Sequence, residues 1–421
     1  MTTTIAAPRP GSWFAHPAVI LTGMDEHGVH VDLGGDVDGD GRSDVLLSDY
    51  WNDVAWLVSS ADLVQLAGSE VDISDVADVT FADPDRNFGG GVALGDVDGD
   101  GRADALLKTG TDPMPLDEPT AALYLATTLD VLDDALVADA TTLVHAEVAR
   151  TPMHAQVGLP DVDGDGRGDL LIRSEDLEVS PSRHLLAAVV PGGPWPATLD
   201  LGQQVLLTGL RASLGELSEV GDLDGDGRDE VAYTTYSTDD SAVYVFRGSA
   251  LTSDRDLENA DWTLFSPHPS TAVAVTAAGD VDGDGLGDLL IGAPQQDDQR
   301  GLVYLLMGAD LPDGGTGEVP DLAYAWFDQP DHNQCGRTVA SAGDLDGDGL
   351  DDILYAAGQG HVWIAYGADV TPGANTVGLS IVGERWTDSM AGGGDIDGDG
   401  IPDLVIGGFG KQSSYIYLSG S

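Results

Sequence analysis

Cysteine occurs once in the 421 residues, at Cys335. A single thiol closes no intrachain disulfide and builds no thiolate metal site, so something else must stabilise a fold of this length. Lysine is nearly absent, occurring only at Lys108 and Lys411, and 17 basic residues face 73 acidic ones for a net charge of −56. Phosphate recognition needs clustered Lys and Arg, so no nucleic-acid partner is expected. The same charge argues against anionic membrane surfaces. No apolar run reaches the length of a membrane span, so no direct membrane insertion is expected. Residues 1–11 contain no apolar stretch of the signal-peptide kind, which leaves a mature domain or a piece of a longer secreted protein. No H-E-x-x-H, G-x-S-x-G or Cys/His pair in a motif context is found, so the expectation is a protein that is not an enzyme.

The acids themselves are informative. They are spread along the chain among apolar residues, which excludes a disordered acidic tail. Hydrophobic residues make up 42% of the sequence, enough for a large core. A salt-adapted surface accounts for part of the charge, and a repeat accounts for more. The nonapeptide D-φ-D-G-D-G-x-x-D, with φ apolar, starts at Asp36, Asp96, Asp161, Asp222, Asp280, Asp344 and Asp395, and its fourth copy ends in Glu230. Successive starts lie 60, 65, 61, 58, 64 and 51 residues apart, so the repeat is about 60 residues long.

Ca²⁺ takes six to eight oxygens from carboxylates and backbone carbonyls, and alternate residues of a tight loop can supply them. Positions 1, 3 and 5 offer side-chain oxygens: Asp36, Asp38, Asp40; Asp96, Asp98, Asp100; Asp161, Asp163, Asp165; Asp222, Asp224, Asp226; Asp280, Asp282, Asp284; Asp344, Asp346, Asp348; and Asp395, Asp397, Asp399. Position 7 offers a carbonyl, which leaves its side chain unconstrained: Arg42, Arg102, Arg167, Arg228, Leu286, Leu350, Ile401. Position 9 closes the shell with both oxygens: Asp44, Asp104, Asp169, Glu230, Asp288, Asp352, Asp403. Glycines at positions 4 and 6 allow the wrap. An EF-hand would carry Glu at position 12 and flanking helices, but position 12 is Leu47, Leu107, Ile172, Tyr233, Ile291, Tyr355 or Ile406. Four carboxylates per loop without a cation would repel one another. About seven Ca²⁺ are therefore expected, one per repeat. Positions 1, 3, 5 and 9 of the seven motifs hold 28 of the 73 acids, and seven ions would move the charge from −56 to −42.

Each loop precedes a short apolar run, such as Val45–Leu47, Leu170–Ile172, Leu289–Ile291 and Leu404–Ile406, suited to a strand buried on both faces. A strand rich in small residues precedes it, as at Gly90–Leu94 and Thr271–Ala278. Third strands are expected at Ala55–Val58, Ala121–Leu125, Leu185–Val190, Ala242–Phe246, Leu302–Leu306, His361–Tyr366 and Ser414–Leu418. Fourth strands are expected at Val76–Phe81, Thr142–Val148, Gln204–Leu207, Trp262–Phe265, Ala323–Phe327 and Val377–Val382. The fold class is all-β: one seven-bladed β-propeller over residues 1–421, with four antiparallel strands per blade. Its blades fall at 27–84, 85–152, 153–211, 212–269, 270–331, 332–386 and 387–421. The seventh repeat ends without a fourth strand, while Ala18–Gly23 is a strand in excess that resembles Gln204–Gly209. Residues 18–23 are expected to complete the last blade and remove an exposed edge.

The fifth repeat runs Thr276-Ala277-Ala278-Gly279-Asp280 through the loop to Asp288-Leu289-Leu290-Ile291-Gly292-Ala293-Pro294. It resembles the FG-GAP repeat of the integrin α-subunit propeller, with Phe88-Gly89 and Gly292-Ala293-Pro294 supplying the two namesake motifs. The resemblance covers essentially the whole chain. Most copies lack the literal motifs, all seven blades carry the loop where integrins usually have it in some, and no Asp-x-Ser-x-Ser metal motif marks an inserted adhesion domain. Scarce lysine and the bare architecture look bacterial.

The resemblance implies an extracellular or cell-surface recognition, adhesion or scaffold module, a monomer whose partner is an unknown protein or glycan. The face opposite the acidic loops carries Tyr50, Trp51, Phe88, Tyr236, His332 and Trp386, either a ligand surface or ordinary rim residues. A carbohydrate-binding propeller or polysaccharide-degrading module, resting on an acid pair for glycoside chemistry, is the alternative. Arg167-Gly168-Asp169 spells an adhesive tripeptide, but Asp169 is position 9 of a loop and is assigned to metal.

Overall fold

A computed structural model describes residues 16–24, 29–49, 52–82, 87–110, 121–130, 134–145, 157–180, 183–201, 204–209, 215–236, 241–266, 274–296, 300–312, 314–329, 334–358, 360–375, 377, 380–382, 386–409 and 412–420. Seven small sheets repeat along it, one per acidic motif. In the first, Val29–Gly35, Asp44–Asp49, Val54–Val58 and Val79–Ala82 pair antiparallel in sequence order. The other repeats follow the same order, giving a seven-bladed β-propeller. The expected closure is present. Val19–Thr22 pairs antiparallel with the third strand of the last repeat, Val19 opposite Ile416 and Thr22 opposite Ser413.

Burial explains the patterns. The second strands Asp44–Asp49, Asp288–Ala293 and Asp352–Ala357 are buried at every residue, because blades pack against both their faces. The first strands are small because the blades converge there. A Cβ on Gly35 would sit 2.7 Å from the Leu94 Cβ and 2.5 Å from the Ala103 Cβ of the next blade. Seven apolar clusters fill the seven gaps between neighbouring blades. The apolar residue at position 2 of each loop (Val37, Val97, Val162, Leu223, Val281, Leu345 and Ile396) is buried.

One element departs from the expected four-strand blade. Between its third and fourth strands the chain leaves its own sheet and lays a short strand, parallel, on the outer strand of the preceding blade. Ser69–Asp72 pairs this way with Val19–Thr22, Asp134–Ala135 with Thr80 and Phe81, and Thr198–Asp200 with Thr142–His145. Arg255–Asp256, Gly315–Glu318 and Gly373–Asn375 repeat the device. These excursions, followed by short helical turns such as Ile73–Asp75 and Val319–Leu322, delay the outer strands. They start at Val79 and Ala325 rather than at Val76 and Ala323.

Candidate metal centres

Each motif folds into the hairpin between a blade's first and second strands, so all seven lie at one end of the propeller. The glycines at positions 4 and 6 have positive φ in every copy, from 71° at Gly347 to 93° at Gly349, which side chains with a Cβ resist. That turn directs amides onto the acids. In the first loop the Asp36 carboxylate accepts the amides of Gly39 at 2.7 Å and Gly41 at 2.8 Å, Asp38 accepts that of Asp40, and Asp40 accepts that of Arg42. The same pattern recurs in the fifth loop from Asp280, Asp282 and Asp284.

Carboxylate oxygens thereby converge. Positions 1, 3 and 5 lie within 4.8 Å of one another as Asp36, Asp38, Asp40 and as Asp222, Asp224, Asp226. Positions 1, 3 and 9 do so as Asp96, Asp98, Asp104, as Asp161, Asp163, Asp169 and as Asp280, Asp282, Asp288. The donors are all oxygen, which suits a hard divalent cation of the Ca²⁺ kind. The crowding has an electrostatic signature. The carboxyls of Asp38, Asp98, Asp224, Asp282 and Asp397 are raised above their ordinary value, first by desolvation and further by neighbouring loop acids.

Position 9 does more than the sequence indicated. Its side chain is buried in all seven blades. One oxygen accepts the amide of position 2 in its own loop, from Val37, Val97, Val162, Leu223, Val281, Leu345 or Ile396. The other accepts an amide from the turn that follows the third strand: Ser60, Ala126, Gly192, Gly248, Gly308, Gly367 or Ser419. Each carboxylate therefore fastens its loop to the turn that follows the third strand at the same end of its own blade, and a cation there would share oxygens already bonded to amides. Burial pushes these acids up to about 6 at Asp44, Asp169 and Asp288, about 7 at Asp104 and Asp403, and about 8 at Glu230 and Asp352; the amides pull them down.

The turn residues were missed because they lie anywhere from 15 to 23 positions after the acid. Their only sequence signal is small size. A Cβ on Gly308 would lie 2.3 Å from the Gly287 carbonyl oxygen.

The side chain at position 7 is not unconstrained. It lies over the position-4 glycine of the preceding blade's loop: Arg102 over Gly39, Arg167 over Gly99, Arg228 over Gly164, Leu286 over Gly225, Leu350 over Gly283 and, closing the circle, Arg42 over Gly398. Arg102 also donates from Nε to the Val37 carbonyl at 2.7 Å and forms a two-bond ion pair with Asp130. Six of the seven neighbouring loop pairs in the ring are connected in this way, which gives position 7 its large side chain there; at the remaining junction a Cβ on Gly347 would meet nothing within 4 Å, and Ile401 lies beside Gly420 instead.

The tripeptide Arg167-Gly168-Asp169 is locked into this ring, with Asp169 buried and bonded to the amides of Val162, Asp163 and Gly192. Of the aromatic residues expected on the opposite face, Tyr50, Trp51 and His332 lie outside the described residues. Phe88, Tyr236 and Trp386 sit at strand ends opposite the loops, with side chains outside the description. Cys335 is buried and its thiol is pushed up to about 12 by desolvation, consistent with no thiolate chemistry. No helix among the described residues is long and apolar enough to cross a membrane.

Comparison with known proteins agrees with this geometry. The FG-GAP repeat family matches residues 272–306, and the FG-GAP-like repeat family matches 344–418. Integrin alpha-4 of Xenopus laevis is 33% identical over 161 residues, 34% of this chain and 15% of its own length. Integrin alpha-5 of Xenopus laevis is 31% identical over 198 residues, 42% of this chain and 18% of its own. Integrin alpha-PS2 of Drosophila melanogaster is 28% identical over 239 residues, 49% and 16% respectively. The chain thus spans under a fifth of the length of these relatives.

Proposed function

We propose that this chain, an integrin-like FG-GAP-repeat propeller, is a calcium-dependent, non-catalytic recognition module in which each blade holds one Ca²⁺ and the ions support the scaffold. The observation that carries the reading is the position-9 acid. In seven of seven blades a buried carboxylate lies within a shell of further acids, and burying such a group as an anion is unfavourable without a cation. The cation would supply charge neutralisation. Positions 1, 3, 5 and 9 would give carboxylate oxygens and position 7 its backbone carbonyl.

The protein's own residues do the rest. Glycines 4 and 6 set the loop, and the position-9 acid joins loop to blade. Position 7 and the backbone join the loops at six of the seven junctions, all but that between blades six and seven, so order in one loop supports the next. Binding only to the folded state stabilises by RT ln(1 + [L]/Kd). With the Kd of about 10⁻⁴ to 10⁻³ M usual for extracellular calcium modules, millimolar Ca²⁺ contributes roughly 1 kcal/mol per loop. In a chain without disulfides this is a substantial share of net stability. Such affinities fit an extracellular or cell-surface location, and the likeness to integrin α chains favours a protein or glycan ligand bound by the loops at the other end.

A glycan array and a pull-down with the calcium-loaded protein test the recognition part. Binding to a defined ligand that EGTA abolishes is the expected result. Hydrolysis or elimination of an arrayed polysaccharide would overturn the non-catalytic reading.

A further inference from the structure

Loop four differs from its counterparts in what stands beside it. The residue just ahead of the turn amide that holds position 9 is Ser59, Leu125, Pro191, Met307, Tyr366 or Leu418 in the other blades, and Arg247 in blade four. Only blade four carries a charge at this place. Arg247 Nε lies 2.8 Å from Asp224 Oδ2, and the two side chains are 26% and 22% exposed. Asp224 is position 3 of the loop, and its carboxylate converges with those of Asp222 and Asp226.

The arginine is held in place from two sides. Its guanidinium carbon sits 4.6 Å from the centre of the Trp262 ring, and the Trp262 indole donates to the Pro312 carbonyl at 2.6 Å. Its own amide donates to the Asp261 carboxylate at 3.1 Å. Ring and backbone thus aim the guanidinium at the loop. In blade five the same place holds Met307, which is buried and uncharged.

We propose that Arg247 is a resident cation of loop four, balancing part of the charge that Ca²⁺ would neutralise, so that this loop is the last of the seven to fill with calcium and the first to empty. The inference rests on the calcium reading above and divides seven alike sites into six and one. Its physical reason is like charge. An ion held by Asp222, Asp224 and Asp226 would share Asp224 with a guanidinium already paired to it, and two cations on one half-buried carboxylate repel. Without the ion, the same guanidinium relieves the repulsion among the three acids, which favours the empty loop. A ligand gains only the difference between the two states, so both effects weaken binding. Arginine suits the post, because its charge is permanent and its planar face stacks on Trp262 while its edge reaches the carboxylate.

A calcium titration of the full chain, followed by hydrogen exchange and mass spectrometry, reads the loops separately. In the native chain, residues 222–230 should reach half-protection in the millimolar range, at least about five-fold above the calcium concentration needed by 280–288. Arg247→Met keeps an apolar stem beside Trp262 and removes the charge. It should bring 222–230 down to the midpoint of 280–288 and leave 280–288 where it was. A merely structural arginine would weaken the site on removal, whereas here removal strengthens it. An unmoved loop-four midpoint in this variant would overturn the proposal and assign any difference to Glu230, the other departure in this loop. Should Arg247→Met fail to fold, Arg247→Gln, which keeps a polar end, is read in the same way. Calcium-dependent protection with one midpoint shared by both native loops would overturn this proposal alone. Protection indifferent to calcium in all seven loops would overturn it together with the calcium reading.

Discussion

The amide of Ala103 donates to the main-chain carbonyl of Asp36 at 2.8 Å, joining position 8 of the second loop to position 1 of the first. The same bond runs from Gly168 to Asp96, Asp229 to Asp161, Gly287 to Asp222, Asp351 to Asp280 and, across the closure, Ser43 to Asp395. At the seventh junction position 8 is Pro402, which has no N–H to give Asp344. The loop conformation therefore tolerates proline while the junction loses its bond.

This makes Ala103→Pro a clean probe of the ring. The substitution should keep the loop's backbone form and remove only the inter-blade bond. It should lower stability by about 1 to 3 kcal/mol, the range for a buried carbonyl deprived of its partner. Urea unfolding in saturating calcium measures it; a midpoint within error of the native one would deny the ring an energetic role.

Positions 3 and 9 should separate. Asp282→Ala should release one ion, yet in EGTA it should raise the melting temperature. Its carboxyl is raised by desolvation and by Asp284 and Asp280, so its anion is unfavourable in the ion-free fold. Asp288→Ala should lower the melting temperature with or without calcium, because it also strands the amides of Val281 and Gly308. Calorimetry in both buffers distinguishes the two; the same sign for both variants in EGTA would refute the division of roles.

Gly308→Ala should destabilise by roughly 2 to 4 kcal/mol, since overpacking against backbone has no side-chain escape. The added methyl would meet the carbonyl oxygens of Gly287 at 2.3 Å and Leu223 at 2.8 Å. Ser60→Ala at the equivalent turn of blade one should be tolerated, because Ala126 already occupies that place in blade two. Paired thermal melts compare them, and an unperturbed Gly308→Ala protein would contradict the close approach.

The centre of the disc gives a pH prediction. A cavity of about 410 Å³ is lined by the first strands of four blades and by Leu159 and Leu171 of blade three, and holds Asp32 and Glu219. Desolvation by the protein packed around the cavity raises Asp32 to about 6 despite the amides of Leu94 and Leu33, and raises Glu219, whose side chain faces the open cavity and is solvent-accessible, to about 7 with Asp32 and Asp229 adding repulsion. A carboxyl whose folded pKa exceeds its unfolded one binds more protons in the native state, so its contribution is full in acid and fades as pH rises from about 4 to 7. Glu219→Gln should therefore stabilise the calcium-loaded protein at pH 8 and change it little at pH 5. A pH-independent difference in melting temperature would argue against it.

The sequence revealed what is local. Seven nonapeptides, the buried second strands and the surplus strand at Ala18–Gly23 are contiguous patterns, and the structure has them where the residues indicated. What escaped was set between repeats. Asp134–Ala135 is a strand only because Thr80 and Phe81 of another blade pair with it. Gly367 serves Asp352 across 15 residues and Gly192 serves Asp169 across 23, so no fixed spacing marks the partner. Arg102 has its reason in Gly39, a repeat away. The covering strands, the turn amides and position 7 are legible only once the ring is closed.

Counting ions tests the central claim most directly. Native mass spectrometry of the protein dialysed against millimolar Ca²⁺ should give a mass increment of seven calcium ions, and EGTA should remove them with a marked fall in melting temperature that calcium restores. A protein carrying no calcium under those conditions, with a melting temperature indifferent to EGTA, would contradict the account.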